Sequence, residues 1–416
     1  MNAFRQKKLT RYLDRIIYWA ILAEAFMIAL SPMGAALAAV VGLVCYLLRL
    51  GDKNNWHWHS TPFDIPVLIF VVCSICSIFV SPDRFFSAYN FCNLAGLYVI
   101  TYILVSQNIT YETQIREIVY LLGASLCLCL LYGVFQAVVG IDPSEMRWVD
   151  GNAFPELKNR IFSTWENPNI FAAYLDVAIC MVFAFARYAE GRVRWGLFGV
   201  LVTALACLGL TYARGALLTL AVVFMVYGLL KDRRIFAGCI ILGAGLLLLE
   251  PALLERVASV FSPTDSSSQM RLGLWTSTLA MIEDYPLFGI GWGAYFMVYP
   301  SYDYYLQGAA VKIVHAHNVY LNYIVEIGIP GALAFFYFLF GNLYRCFFVP
   351  PQDSSRFLRA LLLGIGMSLV TVALNGITDD VLFNIPSSML LWLLCALSAV
   401  TIRLRQHNHL SWETLD

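Results

Sequence analysis

The chain has 416 residues, 60% of them hydrophobic and only 13% charged, with 27 Lys+Arg against 27 Asp+Glu and a mean hydropathy of +0.70. A soluble globular domain carries about 25% charged residues, so a water-soluble fold is excluded and a polytopic membrane protein is indicated. Balanced charge also excludes the global basic field that binds nucleic acid.

Apolar runs that approach or exceed the roughly 20 helical residues needed to cross a hydrocarbon core fall near 16–31, 33–49, 65–81, 86–105, 116–139, 168–186, 194–212, 215–230, 235–250, 317–346, 360–375 and 386–403. The pattern predicts an all-α polytopic membrane protein of about twelve transmembrane helices, forming a single integral membrane domain over residues 1–416. With a cytoplasmic N-terminus, the connections assigned to the inside contain 19 of the 27 Lys and Arg residues. Because basic residues favour cytoplasmic loops, this alternation supports both the count and the orientation, with both termini cytoplasmic. The first span follows a basic segment and has no small-residue cleavage site, as expected of an uncleaved signal anchor.

In chain order, the first polar group at membrane depth is Glu24, which needs a partner or a polar cavity, as do Asp176 and Glu326 further on. Cys73-Ser-Ile-Cys76 has redox or zinc spacing, but it lies within a span without histidines or a second pair, and reads as small residues at a helix interface. All eleven cysteines lie in or beside apolar spans. No disulfide framework is expected. Asn108-Ile-Thr110 matches a glycosylation sequon on a cytoplasmic connection, where it has no meaning.

Two outside connections are long, 140–167 and 251–316, the second being a large periplasmic loop expected to carry amphipathic helices, and function should concentrate there. Trp165-Glu-Asn-Pro-Asn169 ends the first, with Asn167 as a helix N-cap and Pro168 as the first helical residue, a mainly architectural pattern that also brings in Asn169. Arg214 follows in Thr211-Tyr-Ala-Arg-Gly-Ala216, a short outer turn where the positive-inside rule disfavours a fixed cation. Its planar fork suits phosphate oxygens of a bound anion, with snorkelling to lipid phosphates as the plainer alternative. In the second loop, Ser-Pro-Thr-Asp-Ser-Ser-Ser (262–268) is a turn and N-cap cluster. Leu272, Trp275, Leu279 and Ile282 then recur at helical spacing until Asp284-Tyr285-Pro286, predicting an amphipathic helix on the bilayer surface. Arg271 offers a second cation at its start, or a simple lipid contact. Gly289-Ile-Gly-Trp-Gly293 lacks the context of a dinucleotide loop and reads as a flexible turn or a close-approach surface. Lys312 is a weaker third cation.

All six histidines form His-x-His pairs: His57/His59, His315/His317 and His407/His409. Only the middle pair faces outside. No carboxylate or cysteine cluster accompanies any pair in sequence, so none is read as a metal site. The run from His317 to Cys346 would be about 45 Å long as a helix, so its outer end must protrude or bend, and Gly328, Pro330 and Gly331 supply the break. His317 is then either a general base at headgroup level or a helix-terminal histidine beside a capping Asn318. Glu326, nine residues on, falls on the opposite side of an ideal helix and should not orient it.

Four segments together resemble the O-antigen ligase family, which shares its core with O-antigen polymerases and bacterial protein O-oligosaccharyltransferases. They are Glu166-Asn-Pro-Asn169 with Ile-Phe-Ala-Ala-Tyr174, Ala213-Arg-Gly-Ala216, Arg271 through Trp275 with Pro286 and Gly291-Trp-Gly293, and His317-Asn318 followed after nine residues by Gly328-Ile-Pro-Gly331. The resemblance implies transfer of a glycan from an undecaprenyl-pyrophosphate carrier to a sugar hydroxyl of the lipid A core, at the periplasmic face of the bacterial inner membrane. It needs no metal and no cofactor. His317 would be the base, Arg214 and Arg271 would hold the pyrophosphate, and His315, Asn318, Asn167, Asn169 and Lys312 would support the site. The alternative acceptor is another carrier-linked glycan, which makes a polymerase, or a protein hydroxyl. A solute transporter is disfavoured because the strongest polar groups collect on one face and no paired broken helices occur in matching halves.

Overall fold

The computed structural model describes residues 3–51, 58–141, 160–249, 266–304, 313–349 and 355–413, and among them every regular element is helical. The helices are α1 (Ala3–Met27), α2 (Pro32–Leu50), α3 (Asp64–Val80), α4 (Arg84–Phe91), α5 (Leu97–Asn108), α6 (Glu112–Val139), α7 (Pro168–Tyr188) and α8 (Gly191–Leu210). Then come α9 (Arg214–Lys231), α10 (Arg233–Leu249), α11 (Ser266–Asp284), the short α12 (Tyr295–Val298), α13 (Val319–Phe348), α14 (Arg356–Thr378) and α15 (Ile385–Glu413). A π-helical turn, Cys92–Gly96, joins α4 to α5, so Arg84–Asn108 acts as one span.

The predicted apolar runs all coincide with helices, and the fold is an all-α polytopic membrane protein. Among the described residues, nine helices are long and apolar enough to cross a bilayer. The other three runs fall short for visible reasons. The first half of α1 is charged, while α3 and α10 have 17 residues each, about 26 Å of helix.

Contacts between the turns sort the connections onto two faces. On one, Arg160 Nε donates to the Thr211 carbonyl at 2.6 Å, Ser87 Oγ to Trp292 O at 3.0 Å, Asn318 Nδ2 to Ile377 O at 2.9 Å and Thr164 Oγ1 to Ala29 O at 2.5 Å. On the other, Arg403 donates to the Ser106 and Ile109 carbonyls, Ser355 Oγ to Glu112, and Arg187 pairs with Asp232. Among the described residues, the first face gathers the turns that carry Asn167, Asn169, Arg214, His315, His317 and Asn318.

Between the faces, α15 is the most enclosed span, and its Trp392 stacks on Phe338 with ring centroids 4.3 Å apart. The polar groups at membrane depth have the partners their cost demands. Thr101 donates to Glu24, Asn375 Nδ2 to Asp176 at 2.7 Å, and Glu326 sits against the Gly293 backbone N–H and Asn322.

The long α13 is broken where the sequence places the break. Gly328 has φ 76° and ψ 168°, and Pro330 lacks the N–H that would bond the Glu326 carbonyl. The carbonyls left open accept instead from the 285–293 loop: Ile290 N donates to Val325 O at 2.8 Å and Gly291 N to Glu326 O at 3.0 Å, while Ile329 N turns to Pro286 O at 2.8 Å. Such close approach of two backbones leaves no room for side chains. A Cβ on Gly328 would run into the Leu287 carbonyl, and Gly289, Gly291 and Gly293 all have positive φ. Gly289 to Gly293 is therefore a close-approach surface, the second of the two readings above.

The predicted surface helix is α11, ending at Asp284 before Pro286. The expected bilayer-facing stripe is only one of its two apolar sides. Leu274, Ser277, Thr278 and Met281 are fully buried, Leu274 and Met281 in a second small core with Ile290, Tyr295, Ile313, Ala316 and Val325; Leu272 and Leu279 stay exposed. The helix is apolar on two sides, one for protein and one free to meet lipid, which a single-stripe reading merges. Most of the 262–268 turn cluster and Lys312 lie outside the described residues.

Candidate active site

His317 lies just before α13 rather than on it. Asn318 is the N-cap, accepting from Leu321 N at 2.9 Å, as expected from the sequence. Asn318 also donates to Ile377 O, and Tyr320 OH to Ala373 O at 2.8 Å, so the start of α13 is tied to the end of α14. This brings His317 against the α14–α15 turn, where its Nδ1 lies 2.9 Å from Asp379 Oδ1. The two side chains are 28% and 26% exposed, so the pair is open to a substrate but shielded from bulk water.

Asp379 fixes the tautomer. Burial would raise its pKa, but the hydrogen bond and charge of His317, with His315 and Arg271, outweigh that and hold it at about 2. A carboxylate only accepts, so the His317 proton is on Nδ1 and the Nε2 lone pair is free. His315 supplies a second constraint. Its Nδ1 accepts the His317 backbone N–H at 3.1 Å, and its ring packs on Phe383 with centroids 4.8 Å apart. Burial and the neighbouring His317 lower the His315 pKa to about 3, so it stays neutral and keeps that acceptor. His317 itself has φ 49°, a left-handed backbone that the two contacts hold in place.

Asp380 lies behind this pair. It is 5% exposed, and burial followed by the charge of Asp379 raises its pKa to about 7. Among the described residues its Oδ2 has no hydrogen-bond partner, nor does Oε1 of buried Glu326.

The candidate cations approach from two sides. Arg271, on α11, is near enough for its charge to lower Asp379, and its Nε is enclosed with no hydrogen-bond partner among the described residues. Arg214 is the first residue of α9, and a Cβ added to its neighbour Gly215 would stand 3.8 Å from Thr378 Oγ1, next to Asp379 in the chain. Asn167 caps α7, accepting from Asn169 N at 2.8 Å, and Asn169 Oδ1 accepts from Arg160 Nη2 at 2.5 Å. Asn167 thus acts as a helix cap, and Asn169 holds a cation, Arg160, that was not singled out from the sequence. Non-glycine residues with positive φ are Ser163, Glu166, Tyr212 and His317, all in turns of this face. Such strain persists only where surroundings enforce it, and it concentrates at functional sites.

His315, His317 and Asp379 also bring one ligand atom each within 4.8 Å of the others, the residue types of a metal centre. The sequence shows no carboxylate beside the pair because Asp379 is 62 positions away. In the observed arrangement both Nδ1 atoms are engaged, one by Asp379 and one by a backbone N–H.

No curated protein matches the chain. Residues 199–336 match the family model described as O-antigen ligase, a stretch that includes Arg214, Arg271, His315, His317 and the Gly328 break, and stops before Asp379. That match supports placing the chain in the O-antigen ligase family.

Proposed function

We propose that this protein is a membrane glycosyltransferase of the ligase type, moving a glycan from undecaprenyl pyrophosphate to a sugar hydroxyl of the lipid A core at the periplasmic face of the bacterial inner membrane. One observation carries the reading: His317 Nδ1 lies 2.9 Å from Asp379 Oδ1, so an imidazole that donates there leaves Nε2 to act as the base. In the reaction the acceptor oxygen attacks the anomeric carbon while Nε2 of His317 takes its proton. The bond from that carbon to the pyrophosphate oxygen breaks, and the electron pair leaves on the diphosphate. Arg271 and Arg214 offset that charge. Direct displacement inverts the anomeric centre. Asp379 holds the ring and stabilises the imidazolium that forms, the division of labour of a hydrolase triad.

The test is glycan transfer by the purified protein from carrier-linked donor, comparing wild type with His317→Ala, Arg271→Ala and Arg214→Ala, with and without a chelator. Losses of about a hundredfold or more are expected for the base and for each clamp residue. Chelation is expected to leave the rate unchanged. Normal turnover by His317→Ala sinks the assignment. Supplying lipid A core or a second carrier-linked glycan as acceptor separates ligase from polymerase.

A further inference from the structure

A cavity of about 430 Å³ lies between α6 on one side and α7, α8, α14 and α15 on the other. That is the size of small-molecule sites, which run about 300–1,000 Å³. Helix α6 packs on α1 and α8, and α7 packs on α8 and α14, so a gap remains between α6 and α7. Val119, Leu122 and Leu126 of α6 face Val177, Met181 and Phe185 of α7 across it. Both Tyr174 and Tyr188 line the slot, which gives it a length of about 21 Å along α7. Such a slot, left unfilled, would forfeit the dispersion contacts of its entire lining.

The polar lining is concentrated at one end. Arg116 and Arg356 stand there with Tyr120 and Tyr188, at the starts of α6 and α14 and the end of α7. Arg116 pairs with Glu112 at 2.5 Å and lies over the Phe357 ring, and Arg356 pairs with Glu190. Glu117 is engaged elsewhere, accepting from Tyr18. Arg192 and Arg194 are exposed at the start of α8, and Arg359 lies over Tyr188. Arg116, Arg356 and Arg359 therefore stand at this end with two carboxylates, Glu112 and Glu190, and Arg192 and Arg194 flank Val193, which also lines the slot.

We propose that this slot is a binding site for an anionic phospholipid, with an acyl chain between α6 and α7 and the headgroup phosphate held by Arg116 and Arg356. The apolar body selects a chain, and the arginine excess selects the charge of the head. The site holds none of the proposed transfer machinery.

The experiment equilibrates the detergent-purified protein with vesicles of equal phosphatidylglycerol and phosphatidylcholine, then measures retained lipid by native mass spectrometry. Wild type is expected to keep phosphatidylglycerol in preference, by about fivefold for each arginine engaged. Arg116→Gln and Arg356→Gln each reduce that preference by about the same factor. Gly123 lines the slot with no atom within 4 Å of where a Cβ would stand. Gly123→Leu therefore fills the slot without displacing a neighbour, and retention is lost. Equal retention of the two lipids by wild type overturns the proposal, as does unchanged retention by Gly123→Leu. A polyprenyl phosphate that displaces phosphatidylglycerol from wild type also overturns it.

Discussion

Replacing Asp379 by Asn keeps the shape of the His317 partner and removes its charge. Two things follow from the 2.9 Å contact. The amide NH₂ can donate to Nδ1 and drive the imidazole proton onto Nε2, which is the tautomer that cannot act as a base. The imidazolium that forms in the transition state also loses its counter-charge. At about 4 Å and an effective dielectric of about 20, that attraction is about 4 kcal/mol. Both side chains are about a quarter exposed, so solvent screens part of it and about 3 kcal/mol is left, a factor of about a hundred in rate. The assay is single-turnover glycan transfer with saturating carrier-linked donor, for Asp379→Asn, His317→Ala and the double variant. Because the two residues act as one unit, the double variant should be no slower than His317→Ala alone. An Asp379→Asn rate within about threefold of wild type, or losses that multiply in the double variant, would refute the coupling.

His315→Asn retains an acceptor for the N–H two residues on, as in an Asx turn, and should keep near-normal transfer, whereas His315→Phe keeps the stack on Phe383 and should lose about tenfold through the unsupported His317 backbone. Gly328→Ala combines a positive φ with a Cβ directed at the Leu287 carbonyl, and is expected to lower the melting temperature in detergent by the equivalent of about 1–3 kcal/mol, while Gly123→Ala, facing open space, leaves it unchanged. For Asp380 the folded pKa of about 7 lies above its ordinary 3.8, so its contribution to stability is full at low pH and is lost as pH rises through 7. Stability should fall by about 1.4 kcal/mol between pH 6 and pH 8 from this group, and Asp380→Asn should flatten that slope in a thermal-shift series.

His317 and the break beneath it were legible because a thirty-residue apolar run exceeds the bilayer and carries Gly and Pro where it must bend. Arg271 was legible as a cation opening a helix of recurring apolar residues. Asp379 was not. It sits in a Thr-Asp-Asp turn that reads as an ordinary polar connection, and only the packing of α13 on α14 brings it to the imidazole. Arg160 was obscured for a similar reason: its partners, Thr211 and Asn169, belong to two other corners of the bundle. The bilayer-facing stripe of α11 was legible, with Leu272 and Leu279 exposed, but its buried face at Leu274 and Met281 was not, because periodicity around a single stripe does not reveal a second apolar side. Glu24 and Asp176 were flagged by cost alone, with partners Thr101 and Asn375 that no local pattern announces.

The order in which the bundle can be completed follows from where Asp379 lies. The His317 loop and the 286–291 segment that stitches the broken α13 are synthesised before the last hairpin, α14 and α15. A nascent chain that has inserted through α13 therefore carries its imidazole without a counter-ion and with no fixed tautomer. On the proposed reading, copies that end before Asp379 lack that carboxylate and should transfer about as slowly as Asp379→Asn even when the rest of the fold is in place.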